Sequence, residues 1–288
     1  MKKIFIILAA VFLSISFVNA QSKVVPIVEM KVGGLLGGVE NGKYLDAKTT
    51  AGKLLAEQNY TLYLFDGKSE SLTLKKPAAG DEIEACPDFF GIGPSAQGAT
   101  NEEAEKIYKE AQIRSDKGGV ALGTGFKWNP QPRAGKTIDV KNAEYQKLVG
   151  DFLSTKRIAK HRVELKQAVR VDLDGDGTEE VLLVASRYFP YTVKDGKKTF
   201  DEYSVVLLRK IVNGKPQTIL VAGEIYPKNT GDYDGNFFEL SSVLDLNGDG
   251  KMELVIYSSY YEGSAAQVFR IVGNRAVEVK TLYAGCGL

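Results

Sequence analysis

The chain has 288 residues, 44% of them hydrophobic, and a formal net charge of +1. A chain of this length forms one large domain or two ordinary ones, each able to bury a core. A charge this close to neutral creates no global field that would favour nucleic acid or an anionic membrane surface as a partner.

Residues 1–20 have the pattern of an export signal. Lys2 and Lys3 precede an apolar run at 4–18, and a small-residue cleavage site ends at Ala20. An apolar run of about 15 residues is short for a bilayer-spanning helix, which needs about 20. No later segment is long and apolar enough to span a membrane. The sequence therefore predicts cleavage after Ala20 and a mature protein that is secreted or lies in the periplasm or cell envelope.

Cys86 and Cys286 are the only cysteines in the chain. In the oxidising compartment that an export signal implies, two cysteines can pair. A bridge that closes so long a loop is worth about 5 kcal/mol in the loop-entropy model. Pairing is the favoured prediction, and two free thiols are the alternative, because a sequence does not give the distance between the Cα atoms.

Residues 21–135 are predicted to form a β-rich region that ends in a linker. Alternating side chains at 60–65, followed by a turn at 66–67 and an apolar return, indicate a hairpin. Asp46 is a candidate N-cap for a short helix that runs through Leu55.

Two further helices are predicted near the junction between the two halves of the chain. Thr100 and Glu103 form a capping box for the first of these helices. Its apolar residues share one face: Ala104, Ile107, Tyr108 and Ala111. The second runs from about 142 to 156, with a predicted buried stripe: Tyr145, Leu148, Val149, Phe152 and Leu153.

Trp128, the single tryptophan, lies in the irregular segment between these two helices, beside Pro130 and Pro132. We interpret its ring as a plug in the seam between two domains. Stacking on a sugar or a peptide is the alternative.

The stretch 172–180 places oxygen-bearing groups at alternate positions of a short glycine-containing loop. The candidate ligands are Asp172, Asp174, Asp176, the backbone carbonyl of Thr178, and Glu180. Acids at this spacing converge on one point, and a hard cation with several oxygen ligands removes their mutual repulsion. Ca²⁺ suits the arrangement best. The alternative is an ordinary β-turn, in which Asp and Gly are also common.

A second copy of this loop occurs at 245–253. Its candidate ligands are Asp245, Asn247, Asp249, the backbone carbonyl of Lys251, and Glu253. Two near-identical copies favour metal loops over turns. The first loop has four acidic candidates and the second has three. We therefore expect the first to bind calcium more tightly, with both suited to extracellular calcium at about 10⁻⁴ to 10⁻³ M.

The residues after each loop decide which calcium fold is present. An EF-hand has a bidentate Glu at position 12 and a following helix, whereas position 12 here is Leu183 or Ile256, within an apolar run typical of a buried strand. The pattern D-x-(D/N)-G-D-G-x-x-E leading into a strand resembles the FG-GAP and VCBS-type repeats over roughly 160–288. That resemblance implies loops that join two strands, calcium that rigidifies the turn, and a role in adhesion or recognition at the cell surface. Only two copies are present.

Each copy is followed by a predicted pair of strands, which makes a unit of four antiparallel strands, the content of a propeller blade. A propeller needs about four to eight blades, so two copies favour a compact two-sheet or partly open assembly. The predicted fold class is mainly β with a few helices (α+β). We predict a signal peptide at 1–20, a small β-rich N-terminal region with its linker at 21–135, and a calcium-binding domain of two four-stranded blade-like repeats at 136–288.

Aromatic residues mark two predicted insertions of the first repeat, at 188–203 and 226–237, and Tyr260 and Tyr261 occupy the corresponding place in the second. Such loop tips can bind a glycan or a protein edge. The favoured interpretation is that the rings cover sheet edges and calcium loops.

Catalysis finds little support, because His161 is the only histidine and no Gly-x-Ser-x-Gly nucleophile elbow is present. The predicted function is a non-catalytic binding, adhesion or structural module, with a glycan or protein at the cell surface as its partner. A calcium-dependent hydrolase of polysaccharides is the alternative, since glycoside hydrolysis needs only two acids. The nearest acids outside the loops are Asp195, Asp232 and Glu262.

Overall fold

A computed structural model describes residues 24–79, 86, 88–93, 99–158, 162–187, 200–229 and 235–287. The predicted signal peptide, His161 and the central parts of both insertions, with Asp195 and Asp232, lie outside the described residues. Within them the protein is mainly β with three helices, which confirms the predicted fold class.

Eight strands of the N-terminal region form one sheet, called here the N-terminal sheet. They are β1 (Val25–Glu29), β2 (Gly34–Glu40), β3 (Lys43–Leu45), β4 (Glu57–Tyr63), β5 (Ser69–Lys75), β6 (Ala78–Ala79), β7 (Phe90–Gly91) and β8 (Val120–Gly123). The order along the sheet is β5-β4-β8-β1-β2-β7-β6, and β3 pairs with β2. The predicted hairpin is confirmed as the antiparallel pair β4 and β5.

Two of the three helices begin at the predicted caps. In α1 (Ala47–Lys53), Asp46 accepts the Thr49 N–H at 2.6 Å, and α2 (Asn101–Lys117) begins with the predicted capping box. No residue of α2 is fully buried, and Tyr108 on its apolar face is 65% exposed, whereas Ala104, Ile107 and Ala111 are partly buried. By contrast, α3 (Ala143–Thr155) buries its predicted stripe through Tyr145, Val149 and Leu153.

Each predicted repeat forms its own antiparallel sheet. The first-repeat sheet contains β9 (Lys136–Thr137), β10 (Leu165–Val171), β11 (Glu180–Arg187), β12 (Phe200–Val212) and β13 (Lys215–Asn229) in the order β13-β12-β11-β10-β9. The second-repeat sheet contains β14 (Phe237–Leu244), β15 (Glu253–Tyr260), β16 (Gly263–Val272) and β17 (Arg275–Gly287) in chain order. The first has one strand more than the predicted four, because the short β9 pairs with β10 at its edge.

The second-repeat sheet is the middle layer of the molecule. One face, which includes Val255 and Val268, packs against Ile27 and Leu36 of the N-terminal sheet. Leu254 and Ile256 lie in a separate core shared with the first-repeat sheet. Successive strand residues point to opposite faces, so a strand buried on both faces needs a continuous apolar run. This double burial accounts for the unbroken apolar sequence after each loop.

The outer layers are covered by helices. The N-terminal sheet packs on α1, and the outer face of the first-repeat sheet packs on α3. The N-terminal region therefore shares a core with the second repeat, and the two repeats share another. The two repeat sheets lie face to face.

Polar side chains of the first repeat satisfy the free backbone groups along the outer edge of β14. The Gln167 amide accepts the Leu240 N–H at 2.8 Å and donates to the Leu240 carbonyl at 3.1 Å. Ser204 Oγ accepts the Phe238 N–H at 2.8 Å. An exposed strand edge would be open to pairing with another chain, and these contacts occupy part of the edge, at Phe238 and Leu240.

The predicted disulfide is confirmed. Cys86 and Cys286 are bonded, with their Cα atoms 5.3 Å apart. The bond links the segment just before β7 to the end of β17, and thus the N-terminal sheet to the second-repeat sheet.

Glu29 is a buried carboxyl between those same two sheets. It accepts hydrogen bonds from Ser241 Oγ at 2.6 Å and from the Val32 N–H at 2.7 Å. Burial raises the pKa of Glu29 above its ordinary value of 4.5, although these hydrogen bonds oppose the rise. The folded protein therefore binds this proton more tightly than the unfolded chain does. The contribution of Glu29 to stability is full below its ordinary pKa and is lost as pH rises through the folded pKa.

We predict that the unfolding free energy of the wild type falls between about pH 5 and about pH 8 as Glu29 ionises. In Glu29→Gln, whose side chain stays neutral, the fall should be smaller. Urea unfolding at the two pH values measures the difference. The exposed Glu105→Gln serves as the control and is expected to follow the wild type. An unchanged pH slope in Glu29→Gln would contradict the assignment.

Candidate metal centre

The first acidic loop joins β10 to β11 and brings three carboxylates together. Ligand atoms of Asp172, Asp174 and Asp176 all lie within 4.8 Å of one another. Ca²⁺ binds oxygen at about 2.3–2.6 Å, so two oxygens on one ion are at most about 4.6–5.2 Å apart. The three carboxylates therefore fit one calcium ion, and among the described residues they form the one cluster of this kind.

The loop is shaped by its own first aspartate. The Asp172 carboxylate accepts the N–H groups of Gly175 at 2.8 Å and Gly177 at 3.1 Å. These glycines have φ of 79° and 85°, a left-handed conformation that L side chains rarely adopt. Thr178 donates its N–H to Asp176 at 2.7 Å. These bonds fix the loop backbone and hold the acids in place.

The predicted ligand Glu180 has a different set of partners. Its side chain is 1% exposed, and its two oxygens accept the Leu173 N–H at 2.9 Å and the Lys210 ammonium at 2.7 Å. Lys210 Nζ also donates to Asp174 at 2.7 Å. Burial opposes the charge on Lys210, but these two hydrogen bonds raise its pKa. Burial likewise works against the charge of Asp174, whose pKa is nevertheless lowered by Lys210.

The second loop, between β14 and β15, has the same backbone. Asp245 is 3% exposed and accepts the N–H groups of Gly248 at 2.7 Å and Gly250 at 2.9 Å. Asn247 Oδ1 accepts the Asp249 N–H at 3.2 Å, and Asp249 accepts the Lys251 N–H at 2.8 Å. The two loops of similar sequence therefore fold alike.

Glu253 accepts the Leu246 N–H at 2.9 Å. This contact matches the one between Glu180 and the Leu173 N–H in the first loop. The other neighbour of Glu253 is the neutral hydroxyl of Tyr44, from β3. That hydroxyl oxygen is buried beside the Glu253 carboxyl and has no hydrogen-bond partner of normal distance and angle among the described residues. Burial, reinforced by the charges of Asp249 and Asp245, raises the pKa of Glu253 to about 7. Among the residues that the structure describes, no lysine forms an ion pair with this carboxyl as Lys210 does with Glu180.

The two loops contact each other and share a strap, the segment 126–135. The Met252 N–H donates to the Leu173 carbonyl at 2.8 Å. The Arg133 guanidinium donates to the Asp172 carbonyl at 2.5 Å and the Leu173 carbonyl at 3.1 Å, and on the other side to the Gly250 carbonyl at 2.7 Å. One side chain thus joins the backbones of both loops.

The strap also packs on the second loop through Trp128. Its indole N–H donates to the Asp245 carbonyl at 2.9 Å, and the Asp245 N–H donates to the Pro130 carbonyl at 2.8 Å. A Cβ added at Gly248 would lie 3.0 Å from the Trp128 ring. Trp128 is half-buried against the core between the N-terminal and second-repeat sheets. The Trp128 ring therefore packs between two parts of the chain, as predicted, and is not an exposed stacking surface.

Three residues of this centre escaped the sequence interpretation: Tyr44, Arg133 and Lys210. Lys210 lies beside Glu180 because Val181 pairs with Arg209, a register that the sequence does not give because the insertion at 188–203 separates the two strands. Arg133 and Tyr44 reach the loops from distant parts of the chain, which no local pattern reveals. Of the acids considered for hydrolysis, Glu262 is exposed at the β15–β16 turn.

No family model, curated protein or solved structure matches the chain. Among the helices that the structure describes, none is both long and apolar enough to cross a bilayer.

We predict that Arg133→Ala lowers the unfolding free energy by about 2–3 kcal/mol, because it leaves three loop carbonyls without a charged donor. Chemical denaturation in EDTA measures the loss without a contribution from calcium. Lys136→Ala is the matched control, since its ion pair with Glu179 is exposed and is worth less than about 1 kcal/mol. Equal, small losses in both variants would contradict the role given to Arg133.

Proposed function

We propose that this is an exported calcium-binding β protein in which cations at the two acidic loops stabilise the junction of the strap with the two repeats. In this proposal the protein is a non-catalytic binding, adhesion or structural module. The observation that carries the proposal is the convergence of Asp172, Asp174 and Asp176 within 4.8 Å, next to the strap.

The donor set favours calcium over zinc and other soft-ligand metals. All candidate donors in the loops are carboxylate, amide or carbonyl oxygens, which suit hard cations. Both cysteines are already in the disulfide. Magnesium demands near-ideal octahedral geometry at about 2.0–2.1 Å, whereas calcium tolerates irregular loops.

The position of the loops explains how a cation would act. The loops lie between strands of the two repeat sheets, and both are bonded to the strap through Arg133. An ion that binds only the folded loops stabilises the folded state by mass action, by about 2.7 kcal/mol when free calcium is 100 times Kd. Calcium would therefore act mainly as a stabilising ligand.

Export is supported by the disulfide, since such bonds persist in oxidising compartments. The sequence of residues 1–20 and the resemblance of the loops to FG-GAP and VCBS-type repeats favour the same location. A glycan or a protein at the cell surface is the proposed partner, and the aromatic insertions are the part of the chain in which to search for its contacts.

We predict that calcium raises the melting temperature of the purified protein above its value in EDTA, and that magnesium does so less. Asp176→Asn combined with Asp249→Asn removes one charge from each loop and keeps an oxygen that can accept the loop N–H. Most of the calcium-dependent rise should be lost in this variant. Thermal melts across a calcium series measure the effect.

The control is Asp151→Asn, an exposed acid of α3 paired with Lys147, which should respond to calcium as the wild type does. A wild-type melting temperature that is indifferent to calcium would refute the proposal, because the loops would then be ordinary turns.

A further inference from the structure

Lys210 gives the first loop a cation of its own. Its side chain is 11% exposed, and its ammonium lies 2.7 Å from both Asp174 Oδ2 and Glu180 Oε1. Hydrogen bonds between charged partners are about twice as strong as neutral ones. A metal ion that recruits Asp174 must therefore compete with an ammonium that is already in place.

In the second loop, no lysine that the structure describes forms an ion pair with the candidate ligands. Val181 pairs with Arg209, and Leu254 pairs with Phe269, so the counterpart of Lys210 is Arg270, the residue after Phe269. Arg270 is exposed and forms no ion pair with any acid that the structure describes. The corresponding Glu253 instead lies beside the buried Tyr44 hydroxyl.

We propose that Lys210 is a built-in competitor for the metal at the first loop, so that the second loop is the tighter calcium site. This inference rests on the proposed calcium function and reverses the order expected from the number of acids. When Lys210 is counted, the four candidate acids of the first loop have the same net charge as the three of the second, in which the charge of Lys251 is exposed to solvent and forms no ion pair with a described acid. In addition, calcium must displace or repel the ammonium at the first loop alone.

The test isolates each loop in the purified protein with Asp→Asn variants. Asp176→Asn weakens calcium binding at the first loop, so the measured Kd is that of the second. Asp249→Asn weakens binding at the second loop, so the measured Kd is that of the first. Calorimetric titration with calcium at about pH 8 should give a lower Kd for Asp176→Asn than for Asp249→Asn. The opposite order would overturn the proposal.

Lys210→Met then tests the competitor directly, because methionine keeps an apolar stem of similar length without the charge. Added to Asp249→Asn, it should lower the Kd of the first loop by about tenfold or more, since a cation close to the ion is removed. Added to Asp176→Asn, it should leave the Kd of the second loop unchanged. A lysine that served only to hold the loop together would have the opposite effect, because its loss would weaken calcium binding.

A second variant provides the same test if Lys210→Met does not fold in EDTA. Lys210→Gln keeps a donor for Asp174 or Glu180 but has no charge, and it should also tighten calcium binding at the first loop. An unchanged or higher Kd in both variants overturns the role of Lys210 while calcium binding itself persists. Absence of calcium binding in the wild type and in every variant refutes the proposed function instead.

Discussion

The acidic end of the molecule depends on the hydrogen bonds of a single guanidinium. Loops made of aspartate and glycine repel themselves electrostatically and have high conformational entropy when unfolded. Arg133 opposes both effects, because it brings positive charge between the two loops and binds backbone carbonyls on each of them. The planar fork of arginine suits several acceptors at once, which a lysine could not satisfy in the same way. Since the strap holds Arg133 against both loops, the N-terminal region and the two repeats meet at this residue.

The layered architecture explains why the loops lie side by side. The second-repeat sheet is buried on one face by the N-terminal sheet and on the other by the first-repeat sheet. Stacking the two repeat sheets face to face brings the loop ends of both to the same end of the molecule, where Met252 bonds to Leu173. The disulfide between Cys86 and Cys286 and the buried Glu29 then fix the N-terminal sheet to the same middle layer. The candidate metal centre is thus a consequence of sheet packing as much as of loop sequence.

Local features of this protein were predictable from sequence, and long-range ones were not. Asp46 and Thr100 cap helices because capping needs only neighbouring backbone N–H groups. The two loops and the strands that follow them could likewise be predicted, because each is determined by a short stretch of sequence. The predicted helix α2 is present, but the apolar stripe on it did not say how far neighbouring residues cover that face. Lys210 and Tyr44 act across the fold, so a count of acids in the loop sequence does not include the ammonium beside Asp174 and Glu180.

The most direct test of the account is native-state hydrogen exchange of the two loops in EDTA, because it reports the opening free energy of each segment separately. If Arg133 and the strap hold the loops as one unit, the amides of Gly175 and Gly248 exchange with the same opening free energy in the wild type and with different ones in Arg133→Ala. Two loops that open independently in the wild type would contradict the central claim.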